Sequence, residues 1–189
     1  MVTTPYRDAY AKWIEGGWQS LSAPEAHGGQ GLPVALWTAM TELGMAADTS
    51  FMLGEPLLNI EAVLGAIDCL CHHATPDQAA RWLPPMVAGT WTGAMCLTEP
   101  NAGSDLGVLR TRAEPLGDGR YALHGQKIYI TWGEHDCTEN ILYHELARLP
   151  EHAAHARVRV LDVVDRVLVR LRRRELQVEV EVLVVAAHH

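Results

Sequence analysis

Apolar positions in the first ninety residues recur with helical spacing. Thr4-Pro5 reads as an N-cap followed by proline at the first helical position, and a helix is predicted from there to about Ile14, closed by Gly16-Gly17. Trp18 to Leu32 is glycine-rich with little periodicity and reads as a loop. Pro33 opens a second helix with Leu36, Met40 and Leu43 at i, i+4 and i+7. A third is predicted over about Leu57 to His72, with Ile60, Leu64 and Ile67 on one stripe. Thr75-Pro76-Asp77-Gln78 has the form of a capping box with proline inside it. The short helix it starts is expected to end before Pro84-Pro85, with one more turn closing at Gly89. After Trp91 the period changes from helical to alternating. An apolar run, Ala94 to Leu97, leads into a polar loop, and three alternating segments follow, punctuated by Gly117-Asp118-Gly119 and Gly125. That order predicts strand, loop, strand, tight turn, strand, strand. The expected fold class is α+β: an all-α N-terminal helical domain over residues 1–90, then an incomplete antiparallel β domain over 91–150.

From Glu151 the composition shifts. The last 39 residues hold 11 Val and 7 Arg and contain no Gly, Pro, Ser, Thr, Lys or aromatic residue, whereas all 16 Gly and all 10 Pro lie before them. Leu176 to Val185 alternates as a strand would, and residues 157–174 suit either a basic amphipathic helix or more strand. This Val/Arg-rich tail, 151–189, is expected to stand apart from the β domain rather than complete it.

At 48% apolar and 20% charged, the 189-residue chain has a globular composition with room for one or two small cores. Its formal charge is −8, with Lys12 and Lys127 the only lysines, which argues against nucleic acid as a main partner. There is no signal-peptide pattern at Met1 and no 18-residue apolar run, so a cytoplasmic location without a membrane span is expected. Cys69, Cys71, Cys96 and Cys137 do not form a secreted disulfide framework. Cys69-Leu70-Cys71-His72-His73 invites a metal reading. Nothing with zinc-site spacing follows it, and histidines at a helix C-terminus are favoured by the macrodipole, so no metal is expected there.

The chemistry concentrates between Met95 and Thr131. Thr98 and Ser104 bring hydroxyls that donate and accept, Gly103 lets a ligand approach the backbone, and Pro100 stiffens the loop. Tyr129-Ile130-Thr131, read as strand, sets an aromatic face and a hydroxyl on one side, two residues apart. A flat heterocycle with a hydrogen-bonding edge would suit that pairing. The plainer alternative stays open on chemistry alone: Thr98–Asp105 as a turn and Tyr129 as core.

The combined pattern is more specific. Leu97-Thr98-Glu99-Pro100, then Ala102-Gly103-Ser104-Asp105, then Tyr121-x-Leu123-x-Gly125-x-Lys127-x-Tyr129-Ile130-Thr131, resembles the acyl-CoA dehydrogenase family in residues and in spacing. Gly17-Trp18, Pro24-Glu25, Gly28-Gly29-x-Gly31-Leu32-Pro33 and Glu42-Leu43-Gly44 look like that family's helical domain. Residues 130–136 look like the branch that acts on longer acyl chains. The resemblance covers about residues 5 to 149.

The resemblance implies an oxidoreductase with FAD as cofactor and acyl-CoA as substrate. It implies electron-transfer flavoprotein as the redox partner and homo-oligomeric assembly. The stretch Met95, Leu97, Thr98, Gly103 and Ser104, with Tyr129, Ile130 and Thr131, would line the cofactor. Thr98 would bond the flavin ring or ribityl chain, and Ser104 the pyrophosphate or the acyl-CoA. Tyr129 stands where the family usually has Trp against the isoalloxazine, and Thr131 would lie near flavin N5. An acyl-CoA oxidase, or a non-catalytic fragment that binds flavin, acyl-CoA or nothing, are the alternatives.

The resemblance also implies a glutamate base on a C-terminal helical domain, and no residue of this chain matches it. Glu99 belongs to the loop and is not the base. His135 beside Asp136 suits an acid–base pair, but a solvated turn is the simpler reading, and nothing in the family sets Glu134, His135 or Asp136 over the substrate. The expectation is a truncated chain with an out-of-family tail, binding FAD weakly.

Overall fold

A computed structural model of the chain describes residues 4–54, 56–117, 121–149, 160–163 and 181–186. They fall into two compact units: Met1–Ala94 with Thr131–Ile141, and Met95–Ile130 with Leu142–His189.

The first unit is helical: α1 (Thr4–Glu15), α2 (Val34–Ala47), α3 (Thr49–Gly54), α4 (Pro56–His73) and α5 (Pro76–Val87). The glycine-rich loop between α1 and α2 contains two 3₁₀ turns, Trp18–Ser20 and Glu25–His27. It folds back on itself through the amides of Gln30 to the Ser20 carbonyl (2.9 Å) and Leu32 to the Leu21 carbonyl (2.8 Å). α3 is too short to show a period. Its start is marked instead by Asp48, whose Oδ1 accepts from the amides of Ser50 (2.9 Å) and Phe51 (3.0 Å). The Thr75–Gln78 capping box forms in both directions: Thr75 N donates to Gln78 Oε1 (2.8 Å) and Gln78 N to Thr75 Oγ1 (3.3 Å). Of the stripe expected on α4, Ile67 is buried; the side chains of Ile60 and Leu64 lie outside the described residues.

α5 departs from expectation at its end. It runs through Pro84 and Pro85 to Val87 instead of stopping before them. Two amide bonds are lost, but Trp82, Leu83, Met86 and Val87 are each at most 2% exposed. Burying four such side chains at about 1.5–3 kcal/mol each outweighs two missing bonds of about 0.5–1.5 kcal/mol. The turn then closes at Gly89, whose φ of 73° favours glycine. Its carbonyl accepts from the buried Tyr10 hydroxyl at 2.7 Å, tying α1 to the end of α5. Trp13 centres the aromatic packing, 6.5 Å from Trp37 and 6.0 Å from Phe51.

Among the described residues the β region has six strands: β1 (Trp91–Cys96), β2 (Arg112–Pro115), β3 (Tyr121–His124), β4 (Asn140–Ala147), β5 (Val160–Val163) and β6 (Glu181–Ala186). β2 and β3 form an antiparallel pair, with Ala113 opposite Leu123. The other sheet has the order β1-β4-β6-β5 and is mixed: β6 runs parallel to β4 and antiparallel to β5. The expected helical part followed by a small β region is observed, with this parallel pair as a departure from a purely antiparallel sheet.

Two further expectations are corrected. Residues 126–130 are not a strand, because their ladder is replaced by single bonds to the loop, such as Ile128 N to Thr98 O at 2.9 Å. The tail does not stand apart: its alternating segment supplies β6, in register with β4 from Leu142↔Glu181 to Ala147↔Ala186. Residues 164–180 lie outside the described residues, as do 150–159.

Candidate functional site

In the second unit, β1 delivers Met95 and Leu97 to one side of the strand and Cys96 to the buried side, as strand alternation requires. The loop that follows is closed by its own polar groups. Glu99 N donates to Ala102 O (2.8 Å) and Ala102 N to Glu99 O (3.1 Å). Asn101 Nδ2 reaches Val108 O (2.8 Å), Asp105 Oδ1 accepts from Gly107 N (2.8 Å), and Arg148 Nε donates to Leu109 O (2.8 Å).

Beneath the loop sits a buried charged cluster that sequence reasoning did not assemble. Glu99 accepts from the amides of Arg110 (2.6 Å) and Thr111 (2.9 Å) and from Lys127 Nζ (2.9 Å). Lys127 Nζ also donates to the carbonyls of Leu97 (3.1 Å) and Leu146 (2.8 Å), so its three protons are all engaged. Glu145 stands 3.7 Å from the same ammonium, with Cys96 beside it. The clue in the sequence was Lys127 itself, one of two lysines and set in a stretch of otherwise alternating character.

One cation thus faces two carboxylates, and they titrate apart. Burial pushes Glu99 up, but the Thr111 side chain, the Arg110 amide, Lys127 and the Thr111 amide outweigh it and hold Glu99 at about 2. Glu145 has fewer such partners; burial dominates over Lys127 and raises it to about 7. Burial, with Glu145 adjacent, also pushes up the Cys96 thiol. A carboxyl whose folded pKa lies above its unfolded value of about 4.5 contributes stability at low pH that is lost as pH rises from about 4.5 to 7. Glu145→Gln removes that loss and keeps an acceptor for Cys96. The variant is expected to be about 1–3 kcal/mol more stable than the parent at pH 8, and within about 0.5 kcal/mol at pH 4.5. Urea titrations of both proteins at the two pH values measure the difference; an advantage that does not grow with pH removes Glu145 ionisation from the account.

The loop's outer side is different in character. Tyr129 is 87% exposed and takes φ 58°, a conformation sparsely used by residues with a Cβ. Met95 is 41% exposed, Ser104 and Gly103 are exposed, and Leu97, Thr98 and Ile130 are half-buried. A Cβ added at Gly103 would meet no atom within 4 Å. The carbonyl of Thr98 is bonded to Ile128, one residue before Tyr129, which brings the expected loop and the expected aromatic together. Among the described residues, the hydroxyls of Thr98 and Ser104 and the amides of Thr98, Gly103 and Ser104 are engaged by no protein partner. Exposed aromatic and thioether surface beside uncommitted donors fits the flat, polar-edged ring anticipated from the sequence.

Thr131, the remaining predicted lining residue, is exposed and begins the second segment of the first unit. There Trp132 packs on Tyr6 (5.2 Å) and edge-on to His135 (4.2 Å). His135 Nε2 lies 2.9 Å from Thr92 Oγ1, Asp136 pairs with Arg7, and Glu134 is exposed. Burial outweighs the neighbouring Asp136 and lowers the His135 pKa to about 4, so it is neutral at physiological pH. His135 and Asp136 therefore have different partners and do not form a pair. At the end of α4, Cys71 and both histidines are exposed, and His72 Nδ1 lies 3.3 Å from its own helix's Asp68. No group of three or more His, Cys, Asp or Glu side chains suited to a metal ion occurs among the described residues.

Comparison with known proteins accounts for this architecture. Residues 3–90 match the family model of the acyl-CoA dehydrogenase N-terminal domain. The 3-methylmercaptopropionyl-CoA dehydrogenase of Ruegeria pomeroyi is 46% identical over 163 residues, 86% of this chain and 27% of that protein. The crystal structure of an acyl-CoA dehydrogenase from Geobacillus kaustophilus superposes with a TM-score of 0.61 at 31% identity, over 72% of this chain and 34% of that one. A solved chain described as electron transferring flavoprotein of Acidaminococcus fermentans matches with a TM-score of 0.57 at 33% identity, over 68% of this chain and 32% of that one. Residues 3–90 are an acyl-CoA dehydrogenase N-terminal domain, and the matched part of the chain beyond them is similar to proteins of that name. It spans about a quarter of the length of the Ruegeria relative. No helix among the described residues is long and apolar enough to cross a membrane.

Proposed function

We propose that this chain serves FAD-dependent α,β-dehydrogenation of an acyl-CoA thioester, and that the outer side of its 95–104 loop is the flavin-binding surface. The observation that carries the reading is Tyr129: an aromatic ring left almost wholly in water, in an uncommon backbone conformation, next to a loop of unengaged hydroxyls and amides. A residue held in such a conformation is favoured when the surroundings use it. Bound flavin would supply the redox chemistry of the oxidation. The residues of this chain bind and orient: Tyr129, Met95, Leu97 and Ile130 offer apolar contact, Thr98 hydrogen-bonds the ring, and Ser104 holds the pyrophosphate or the acyl-CoA, with Gly103 giving room for close approach. A homo-oligomeric cytoplasmic enzyme that passes electrons to an electron-transfer flavoprotein completes the reading.

Glu99 does not serve as the base in this scheme. Its oxygens face the amides of Arg110 and Thr111 and the Lys127 ammonium, and a carboxylate held at about 2 is a poor proton acceptor near neutral pH.

Titration of FAD by quenching of its fluorescence tests the surface. The chain is expected to bind FAD in the micromolar range, and Tyr129→Ala to weaken it about fivefold to tenfold with an unchanged thermal midpoint, since the ring contacts so little of the protein. Equal affinity in both proteins excludes Tyr129 from the site, and no quenching at millimolar FAD excludes the reading.

A further inference from the structure

We infer that Lys127, with Glu99 as its counter-ion, is the positioning residue that aims the Leu97–Thr98 peptide at the ligand of the loop. The inference rests on the flavin-binding reading above.

The argument starts from peptide geometry. In a trans peptide the carbonyl and the next residue's N–H point to opposite sides. The Leu97 carbonyl accepts from Lys127 Nζ at 3.1 Å, on the buried side, where the Lys127 side chain is 8% exposed. The Thr98 N–H therefore points away from the ammonium, to the side where it has no partner among the described residues. Thr98's own carbonyl is taken by the Ile128 amide at 2.9 Å. Both peptide planes that flank Thr98 are thus fixed from segment 127–128, and Lys127 fixes the first of them.

Its other two bonds make this a rigid mount. Lys127 reaches Leu146 O on β4 at 2.8 Å and Glu99 at 2.9 Å, and Glu99 in turn holds the amides of Arg110 and Thr111 across the far end of the loop. One ammonium thereby ties the start of the loop, its end and a central strand to one point. An ammonium supplies three divergent donors from a compact centre; a guanidinium spreads its donors in a plane and is larger. The site specifies lysine for its shape as well as its charge.

Two variants of the full chain test this by FAD titration and visible circular dichroism of the bound flavin. Lys127→Arg keeps the charge but not the donor geometry. Lys127→Met combined with Glu99→Gln removes the cation and its nearer counter-ion together, and Glu145, which burial already raises, is left to take up a proton. Each is expected to bind FAD at least tenfold more weakly than the parent, with an altered dichroism band near the flavin's visible maximum. Lowered thermal stability with parental affinity and spectrum in the folded Lys127→Arg protein would reduce Lys127 to a structural tie and overturn the inference. Absence of FAD binding in the parent chain overturns the flavin reading and the inference with it, whereas parental binding that both variants retain overturns the inference alone. Should the double variant fail to fold, Lys127→Arg decides.

Discussion

Glu99→Ala is expected to be the most damaging single substitution in the loop, lowering stability by about 3–5 kcal/mol. Three consequences add. The Lys127 ammonium, 8% exposed on its side chain, loses its nearest counter-ion. The amides of Arg110 and Thr111 lose their acceptor, and Thr111 is buried, so water cannot replace it. A cavity the size of a carboxylate is left behind. Glu145, 3.7 Å from Lys127, becomes the ammonium's remaining partner and is drawn toward its ordinary acidic range. Urea denaturation followed by circular dichroism measures the loss. Glu99→Gln keeps the shape and one oxygen acceptor and should lose less, but its amide NH₂ must face N–H donors. A midpoint for Glu99→Ala within error of the parent would show that the cluster contributes nothing to the folded state.

Four of the five helices among the described residues were legible because each carries its own signal, a cap, a period or a closing glycine; α3, six residues long, shows no period and was not read. Thr75–Gln78 needed only four residues to announce α5, and both of its bonds form. Its end was misread because a proline pair is a local signal, whereas the burial of Trp82, Leu83, Met86 and Val87 is a tertiary one. The loop was legible as a motif, but its interior was not. Lys127 lies 28 residues after Glu99 and 18 before Glu145, and no spacing rule joins them. Only the folded backbone brings β1, the 125–130 segment and β4 to one ammonium. The same limit explains Tyr129, read as a strand residue from its neighbours' alternation, where the bond from Ile128 to Thr98 ends the ladder and turns the next residue to φ 58°. It explains β6 as well: alternation marked the segment as strand, while its pairing with β4 is a contact between residues about forty apart.

Gly125 offers a second large effect, by sterics rather than charge. A Cβ there would stand 2.1 Å from Thr111 Oγ1, 2.7 Å from Thr111 Cβ and 2.8 Å from Thr111 Cα. The last of these is backbone and cannot rotate away. Thr111 is fixed on both sides: its amide donates to Glu99 at 2.9 Å, and its carbonyl accepts from the Arg148 amide at 2.8 Å. Moving it loosens the Glu99 cluster and the Arg148 tie together. Gly125→Ala is therefore expected to destabilise by about 3 kcal/mol, at the upper end of ordinary overpacking. Gly103→Ala is the matched control: the added methyl meets nothing, the backbone is not in the left-handed region, and stability should hold or rise by up to about 1 kcal/mol. Adding Thr111→Ala to Gly125→Ala removes the hydroxyl but neither Cβ nor Cα, so only part of the loss should return. Thermal melts of the four proteins give the answer. Full recovery in the double variant would mean that the clash lies with the side-chain oxygen alone and that the close approach of the two backbones carries no strain.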